Sequence, residues 1–210
     1  MNNKSEVSVS VKAIAVKIAS TFVAKNDVRY FLKSIHVMPA PTGGVLVQAT
    51  DGHKLIVVHD YEGKASEPVH IELNPQMSST LTASRLVEIN GHKMQVCSID
   101  RIPVYQHYDL IDRRIEGWTK FPDFSKIFNA NEYEKGLVGM INPEYLAVAV
   151  NAGKYFSFVQ FLSKKGSKGL DPVAIVFEGN NRFSAVAVIM PLRDNEKAFD
   201  WIPQYFQGKQ

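Results

Sequence analysis

Residues 45–58, VLVQATDGHKLIVV, decide the fold of this chain. Apolar runs flank Asp51-Gly52, and both turn residues tolerate the positive φ that a tight hairpin requires. The stretch therefore predicts two antiparallel strands. Another apolar run, 30–37, precedes it and is separated from it by turn-forming residues at 39–44, which predicts a further strand next to the hairpin.

A single amphipathic helix is predicted before these strands, at residues 9–25. Val11, Ile14, Ile18 and Phe22 fall on one helical stripe, and polar side chains lie at its margins. The first stretch of the chain is therefore interpreted as a strand, a helix and three strands, a βαβββ unit.

The same pattern recurs twice. Asn74-Pro75 and Asn142-Pro143 each open a helix, since asparagine caps the first turn and proline fits the first helical position. Each pair follows an apolar strand and precedes three more, as expected for an internal repeat. The predicted strands of the later units are 69–73, 86–89, 94–98, 104–108, 137–141, 158–162, 173–178 and 183–190. The pattern predicts an α+β fold with repeated βαβββ units, mainly antiparallel sheets and one helix per repeat.

Composition excludes several classes of protein. The 210 residues are 45% hydrophobic and 21% charged, which is typical of a globular protein and excludes disorder, collagen and a disulfide scaffold. The net charge of +3 predicts no general attraction to nucleic acid. A lone Cys97, no apolar signal-peptide core at the N-terminus and no long apolar run together predict a cytoplasmic protein without a membrane partner.

No constellation of catalytic residues stands out in the sequence. The six histidines have no metal-ligand spacing, and neither a glycine-rich phosphate loop nor a G-x-S-x-G motif occurs. Cys97 lies in an apolar strand, where a small core residue is a better interpretation than a nucleophile. The sequence therefore predicts a protein that is not an enzyme, with no catalytic residue, metal or cofactor.

Four segments occur in an order that carries a family resemblance. They are 27–32 DVRYFL, 49–55 ATDGHKL, 121–124 FPDF and 188–193 VIMPLR. Together with the repeated units they resemble the bacterial sliding clamp, the beta subunit of DNA polymerase III, over residues 7–193. The resemblance implies a DNA-clamp fold, in which a non-catalytic ring of six similar domains surrounds DNA and each domain contains two βαβββ halves.

The resemblance also implies an apolar pocket between two domains, where polymerases and other proteins with a clamp-binding motif dock a short peptide. Methionine and aliphatic side chains suit such a pocket because they repack around different partners. The residues that match are Leu32, Thr50, Gly52, His53, Leu55, Pro122, Ile127, Val188, Met190, Pro191, Leu192 and Arg193.

Non-specific contact with double-stranded DNA is a further implication of the resemblance. Cations on the inner side of the ring would touch phosphates, and such contacts position a protein without reading sequence. The candidates are Lys12, Lys17, Lys25, Arg29, Tyr30 and Lys154.

The chain is shorter than the family it resembles. Residues 1–128 match a complete middle domain, 129–193 match the second half of the last domain, and 194–210 form an apolar C-terminal tail. The unpaired half-domain predicts an exposed apolar surface. We expect either the tail or a second copy of the chain, in a homo-oligomer, to cover that surface. Alternatively, the tail folds over the peptide pocket.

The function predicted from these features is that of a sliding-clamp-like processivity factor for a DNA polymerase, which tethers partners to DNA through the peptide pocket. The alternative is a protein-interaction module or decoy that binds clamp-partner peptides without forming a ring. An enzyme is the least favoured interpretation, since no catalytic constellation is present.

Overall fold

The computed structural model describes residues 8–107, 121–134, 141–167, 170–178 and 182–192. The first unit contains one helix and strands that confirm the predicted hairpin. Its elements are β1 (Ser8–Lys12), α1 (Ala13–Ser20), a 3-10 turn (Tyr30–Leu32), β2 (Ile35–Pro39), β3 (Val45–Thr50), β4 (Lys54–Asp60) and the short β5 (Lys64–Ala65).

The second unit repeats this order, and the third repeats it from its helix onward. The second has β6 (Val69–Ile71), α2 (Pro75–Thr80), β7 (Arg85–Asn90), β8 (Lys93–Ser98) and β9 (Pro103–His107). The third has α3 (Pro143–Gly153), β11 (Phe158–Lys164), β12 (Val173–Glu178) and β13 (Phe183–Ile189), and it follows 3-10 turns (Phe124–Lys126, Ala130–Glu132) and β10 (Tyr133–Glu134). Most of the predicted strand 137–141 and the whole tail 194–210 lie outside the described residues.

The predicted start of the first helix is wrong. Ser8–Lys12 is a strand, hydrogen-bonded between β5 and β7, and the helix begins only at Ala13. Val9 and Val11 are buried on alternate strand positions, and Val11 also fits the helical stripe that continues through Ile14 and Ile18. The two periodicities overlap in sequence, and pairing with β7 decides in favour of a strand.

Both Asn-Pro predictions are confirmed by the geometry of the helix starts. The Asn74 side chain accepts a hydrogen bond from the Met77 amide at 2.8 Å, and the Asn142 side chain accepts one from the Glu144 amide at 2.9 Å. Each cap satisfies a backbone donor that the first turn leaves without a partner.

The described strands form two antiparallel sheets. One has the order β5-β1-β7-β8-β9 and the other β10-β11-β12-β13-β4-β3-β2-β6. The first two units exchange strands, because β1 pairs with β7 of the second unit and β6 pairs with β2 of the first. The third unit joins the first edge to edge, through antiparallel pairing of β13 with β4. Residues assigned to the half-domain thus continue the sheet of the complete domain.

The main core lies between the helices and the sheets. It includes almost every side chain of α1 together with Phe22, Phe177 and the inward-facing valines and isoleucines of both sheets. Alternate residues of each strand point to opposite faces of a sheet. The face of the larger sheet that does not contact this core is therefore the one available for a site.

Candidate functional site

A row of apolar side chains crosses the junction between the first and third units. Leu55 lies opposite Val188, Val188 lies opposite Ala174, and Ala174 lies opposite Leu162. We call these four residues the junction row. Their strand neighbours Ile56, Ile175 and Ile189 belong to the main core, so the row lies on the other face of the sheet.

Aromatic side chains from residues 121–134 pack against the junction row. Phe124, Phe128 and Tyr133 form a cluster with it, and the ring centroids of Phe128 and Tyr133 are 4.9 Å apart. Burial raises the pKa of the Tyr133 hydroxyl above its ordinary value. The connecting segment between the units therefore forms one wall over the row.

The Asp51-Gly52 turn forms another side of this region. Gly52 has φ +92°, as a tight turn requires, whereas Asp51 does not adopt the positive φ that the sequence allowed for it. The Gly52 amide donates to Thr50 Oγ1 at 3.0 Å. The Met190 amide donates to the His53 carbonyl at 3.0 Å, which fixes the chain after β13 against the turn. The structure thus brings Thr50, Gly52, His53, Leu55, Val188 and Met190 together.

A buried ion pair holds the turn against α3. Lys54 pairs with Asp51, and its ammonium lies 5.8 Å from the Tyr145 ring centroid. Burial acts to raise the pKa of Asp51, but hydrogen bonds from Lys54 and His53 outweigh it and lower that pKa below its ordinary value. The charge of Lys54 is therefore neutralised within the turn, and the surface beside it stays apolar.

Three of the predicted pocket residues are exposed apolar side chains. Met190 is 46% exposed, Leu192 43% and Ile127 40%. Large exposed apolar side chains next to a mostly buried apolar row are suited to contact with a partner. We call these three residues the rim.

Other predicted pocket residues have different positions. Leu32 and Thr50 are buried, and the Thr50 hydroxyl donates to the Lys54 carbonyl, so both act from inside the protein. Pro122 is half-buried, and Pro191 forms a bridge with Ile141 just before α3. Arg193 lies outside the described residues.

Sequence reasoning missed several residues of the site. Ala174, Leu162, Phe124, Phe128 and Tyr133 were not among the predicted pocket residues. Phe124 had a signal, since it ends the FPDF segment, but nothing local distinguishes the other four from core. Arg29, predicted to bind DNA, has its guanidinium next to the turn: a Cβ at Gly52 would lie 3.6 Å from Arg29 Nη2. The DVRYFL segment could have suggested this, since it also contains Leu32.

The candidates for DNA contact differ in how available their charges are. Lys12, predicted on the first helix, lies in β1, is 8% exposed and pairs with Glu62. Lys17 donates to the Leu81 carbonyl at 3.0 Å, and Arg29 pairs with Asp27 at 2.8 Å. The hydrogen bond from Arg29 lowers the pKa of Asp27 well below its usual range.

The two remaining lysines, Lys25 and Lys154, are exposed. The Lys154 ammonium lies 5.1 Å from the Tyr155 ring centroid. Tyr30 begins the 3-10 turn Tyr30–Leu32. Thus the cations that sequence reasoning grouped together include both paired and available charges.

A histidine pair packs against Phe121, the first residue of the segment 121–134 that carries the aromatic wall. His36 and His70 are opposite each other on β2 and β6, with ring centroids 4.8 Å apart, and Phe121 stacks on His36 at 4.8 Å. Burial lowers the pKa of His36, although its hydrogen bond with Gln48 acts in the opposite direction. The neutral imidazole is the form that the folded protein favours.

Acidification is expected to destabilise the protein through His36. Because the folded-state pKa lies below that of the unfolded chain, this stabilisation is present above about pH 6.5 and declines as the pH falls from there. His36→Phe keeps a ring for Phe121 and cannot be protonated, so its free energy of unfolding should vary less between pH 7 and pH 5. Urea denaturation at several pH values measures this. His92→Phe, at an exposed turn position, is the control, and equal slopes for wild type and His36→Phe would contradict the expectation.

Comparison with solved structures places this arrangement in a known fold. The Pseudomonas aeruginosa DNA polymerase sliding clamp, solved with a ligand, matches with a TM-score of 0.61, 13% identity and coverage of 90% of this chain and 66% of that chain. The chain has the fold of the bacterial sliding clamp. The Bartonella birtlesii sliding clamp bound to griselimycin also has a TM-score of 0.61, with 15% identity, covering 92% of this chain and 68% of that one.

A third sliding-clamp structure agrees with these two. The Helicobacter pylori beta clamp in complex with diflunisal matches with a TM-score of 0.61 and 14% identity, covering 90% of this chain and 66% of that chain. The chain thus spans about two thirds of the length of these sliding clamps. No protein-family model and no curated protein sequence matches it.

Neither a metal-binding cluster nor a membrane-spanning helix is present in the described part of the chain. There, no three His, Cys, Asp or Glu side chains are placed to hold a metal ion. No helix in the same residues is long and apolar enough to cross a membrane.

Proposed function

We propose that the protein is a non-catalytic, sliding-clamp-like processivity factor, which tethers a DNA polymerase and other proteins with clamp-binding peptides to double-stranded DNA. It would act in the cytoplasm, without a cofactor. The sliding-clamp fold supports the proposal, and so does the sequence, which lacks a catalytic constellation.

The observation that carries the proposal is the junction row with its exposed rim. Leu55, Ala174, Val188 and Tyr133 are buried, and Leu162, Phe124 and Phe128 are partly buried against them. The rim residues Met190, Leu192 and Ile127 are exposed. A peptide that buried one leucine and one phenylalanine against this surface would gain about 1.5–3 kcal/mol from each. After the entropy cost of association, an affinity of about micromolar strength is expected.

DNA contact in this proposal is weak and independent of sequence. Lys25 and Lys154 carry exposed charges, and phosphate contacts by a few such side chains position a protein without specifying bases. Lys17, Arg29, Tyr30 and Lys12 remain part of the proposal, although the ion pairs of Lys12 and Arg29 reduce their positive field.

One observation favours the alternative function, an interaction module or decoy that binds clamp-partner peptides without a ring. Two of the six candidate DNA contacts are already engaged in ion pairs with Glu62 and Asp27. A protein that needed only the peptide pocket would have no use for a continuous basic surface.

Peptide binding and retention on DNA together test the proposal. Calorimetry should detect binding of a short peptide with adjacent leucine and phenylalanine, and of griselimycin. Met190→Glu should weaken both at least about tenfold by placing a charge in the rim. Ile99→Glu, at an exposed turn of the other sheet, is the matched control and should bind like wild type.

The second readout distinguishes the two functions. Retention on circular plasmid that is lost when the plasmid is linearised supports the processivity factor. Peptide binding without such retention supports the module, and no binding of either ligand at 100-fold the expected dissociation constant, about 100 µM, would contradict both.

A further inference from the structure

Within the described residues, the third unit has an apolar surface that no other element covers. Val150 of α3 is 62% exposed, and Val159 and Phe161 of β11 are 43% and 38% exposed. Leu146 joins them in lining a shallow apolar cleft of about 110 Å³, whose floor is Ala149, Gly153 and Ile175. We call this surface the α3 face.

The complete domain shows how an equivalent surface is covered. In α1, the helix of the first unit, six of eight residues are buried, whereas α3 buries only Ala149 and Ala152 among its eleven. The outer edge of β2 is paired with β6 of the neighbouring unit along three residues. The equivalent strand β11 pairs on that side, in the described residues, only at Ser163 and Lys164, with β10.

The two units of the complete domain cover each other reciprocally. The first unit gives β1 to β7 of the second, and the second gives β6 to β2 of the first, both in antiparallel pairs. Two similar units that give each other one strand in this way are related as the two halves of a two-fold arrangement. A third unit would obtain the same relation from another unit of its kind, and the described residues of a chain contain one such unit.

Charge at the ends of α3 fits an antiparallel copy. The exposed residues of this helix and its C-cap carry two charges, Glu144 in the first turn and Lys154 at the C-cap. A two-fold axis across the middle of the helix would place Glu144 of each copy near Lys154 of the other. The helix dipoles would also run in opposite directions, which is favourable.

We propose that a second copy of this chain covers the α3 face, forming a two-fold dimer in which the two third units complete one clamp domain. The proposal does not depend on peptide binding, because the junction row lies on the opposite face of the sheet from Val159 and Phe161. Leu146 and Val150 would pack against the partner, and the two salt links would set the antiparallel orientation. In this dimer Lys154 would be paired, so Lys25 would supply the exposed charge for DNA contact.

Sedimentation equilibrium of the full chain tests the dimer. Wild type at micromolar concentration should have twice the monomer mass of 23.5 kDa. Val150→Glu should raise the dimer dissociation constant at least about tenfold by burying unpaired charges. Val28→Glu makes the same change at a loop residue that is 89% exposed and should leave the dimer unchanged.

Charge reversal tests the orientation. Glu144→Lys and Lys154→Glu should each weaken self-association, whereas an equal mixture of the two variants should form a heterodimer with restored pairs. Restoration in the mixture supports the proposal, and equal weakening alone and in the mixture would contradict the antiparallel arrangement.

Removal of residues 194–210 distinguishes the second copy from the tail of the same chain. A dimer both with and without the tail supports the proposal. A monomeric full chain overturns it, and if that monomer becomes a dimer after truncation, the tail is the occupant. Calorimetry with the leucine–phenylalanine peptide should give the same affinity for Val150→Glu and wild type, so failure of the dimer is distinguishable from failure of the peptide pocket.

Discussion

Replacing Leu55 by alanine is expected to lower the free energy of unfolding by about 2–5 kcal/mol and to weaken peptide binding at least about tenfold. Leu55 begins the junction row, lies opposite Val188 and is 4% exposed. Its truncation leaves a cavity under the aromatic wall. The strands β4 and β13 cannot move together to fill it, because their hydrogen bonds fix the distance between them. The floor on which a peptide side chain would rest is then lost as well.

Val57→Ala is the matched control for this change. Val57 lies two positions further along β4, hence on the same face of the sheet, but opposite Val186 and Gln48 and outside the junction row. Its replacement should lower stability without changing the dissociation constant of the peptide. Urea denaturation and calorimetry measure the two quantities, and unchanged peptide affinity in Leu55→Ala would show that the row is only structural.

Local chemistry made most of the fold predictable from sequence. The Asp51-Gly52 turn, the Asn74 and Asn142 caps and the strands between them all depend on residues close in the chain. The start of α1 was not predictable in this way, because Val11 satisfies both a strand and a helix pattern. Pairing with Val87 of β7, distant in sequence, decides it.

The same error affected one of the proposed DNA contacts. Lys12 was placed on a helix margin, where its charge would face solvent. As the last residue of β1 it is instead held by Glu62, and its amide donates to the buried Asp60 carboxylate at 2.8 Å. A helix boundary that is wrong by four residues thus moves the predicted position of this lysine from solvent to a buried strand end, where it pairs with the exposed Glu62.

The candidate site was predictable only through the family resemblance. Alternation within β4 indicates that Leu55 and Val57 share a face, but it does not indicate that β4 pairs with β13. That pairing brings Val188 to Leu55, and Ala174 lies opposite Val188 on the next strand. Alanine at such a position has no local signal, since its role comes from the aromatic side chains that pack over it.

Phe177→Ala is expected to have the largest effect on stability, a decrease of about 3–5 kcal/mol in the free energy of unfolding. Phe177 is fully buried, and its ring lies 5.2 Å from that of Phe156, which in turn contacts Phe183 at 5.2 Å. A Cβ at Gly153 would lie within 3.6 Å of the Phe177 ring, so the last residue of α3 rests directly on it. The cavity should therefore loosen the helix as well as the sheet.

Phe158→Ala is the matched control, because Phe158 is exposed on the neighbouring strand opposite Glu178. It should change the free energy of unfolding by no more than about 0.5 kcal/mol in urea denaturation. Similar losses in the two variants would contradict the role of the Phe156–Phe177–Phe183 cluster. Because this cluster positions α3, sedimentation of folded Phe177→Ala should also show weaker dimerisation, whereas Leu55→Ala, on the other face of the sheet, should remain a dimer and lose only the peptide.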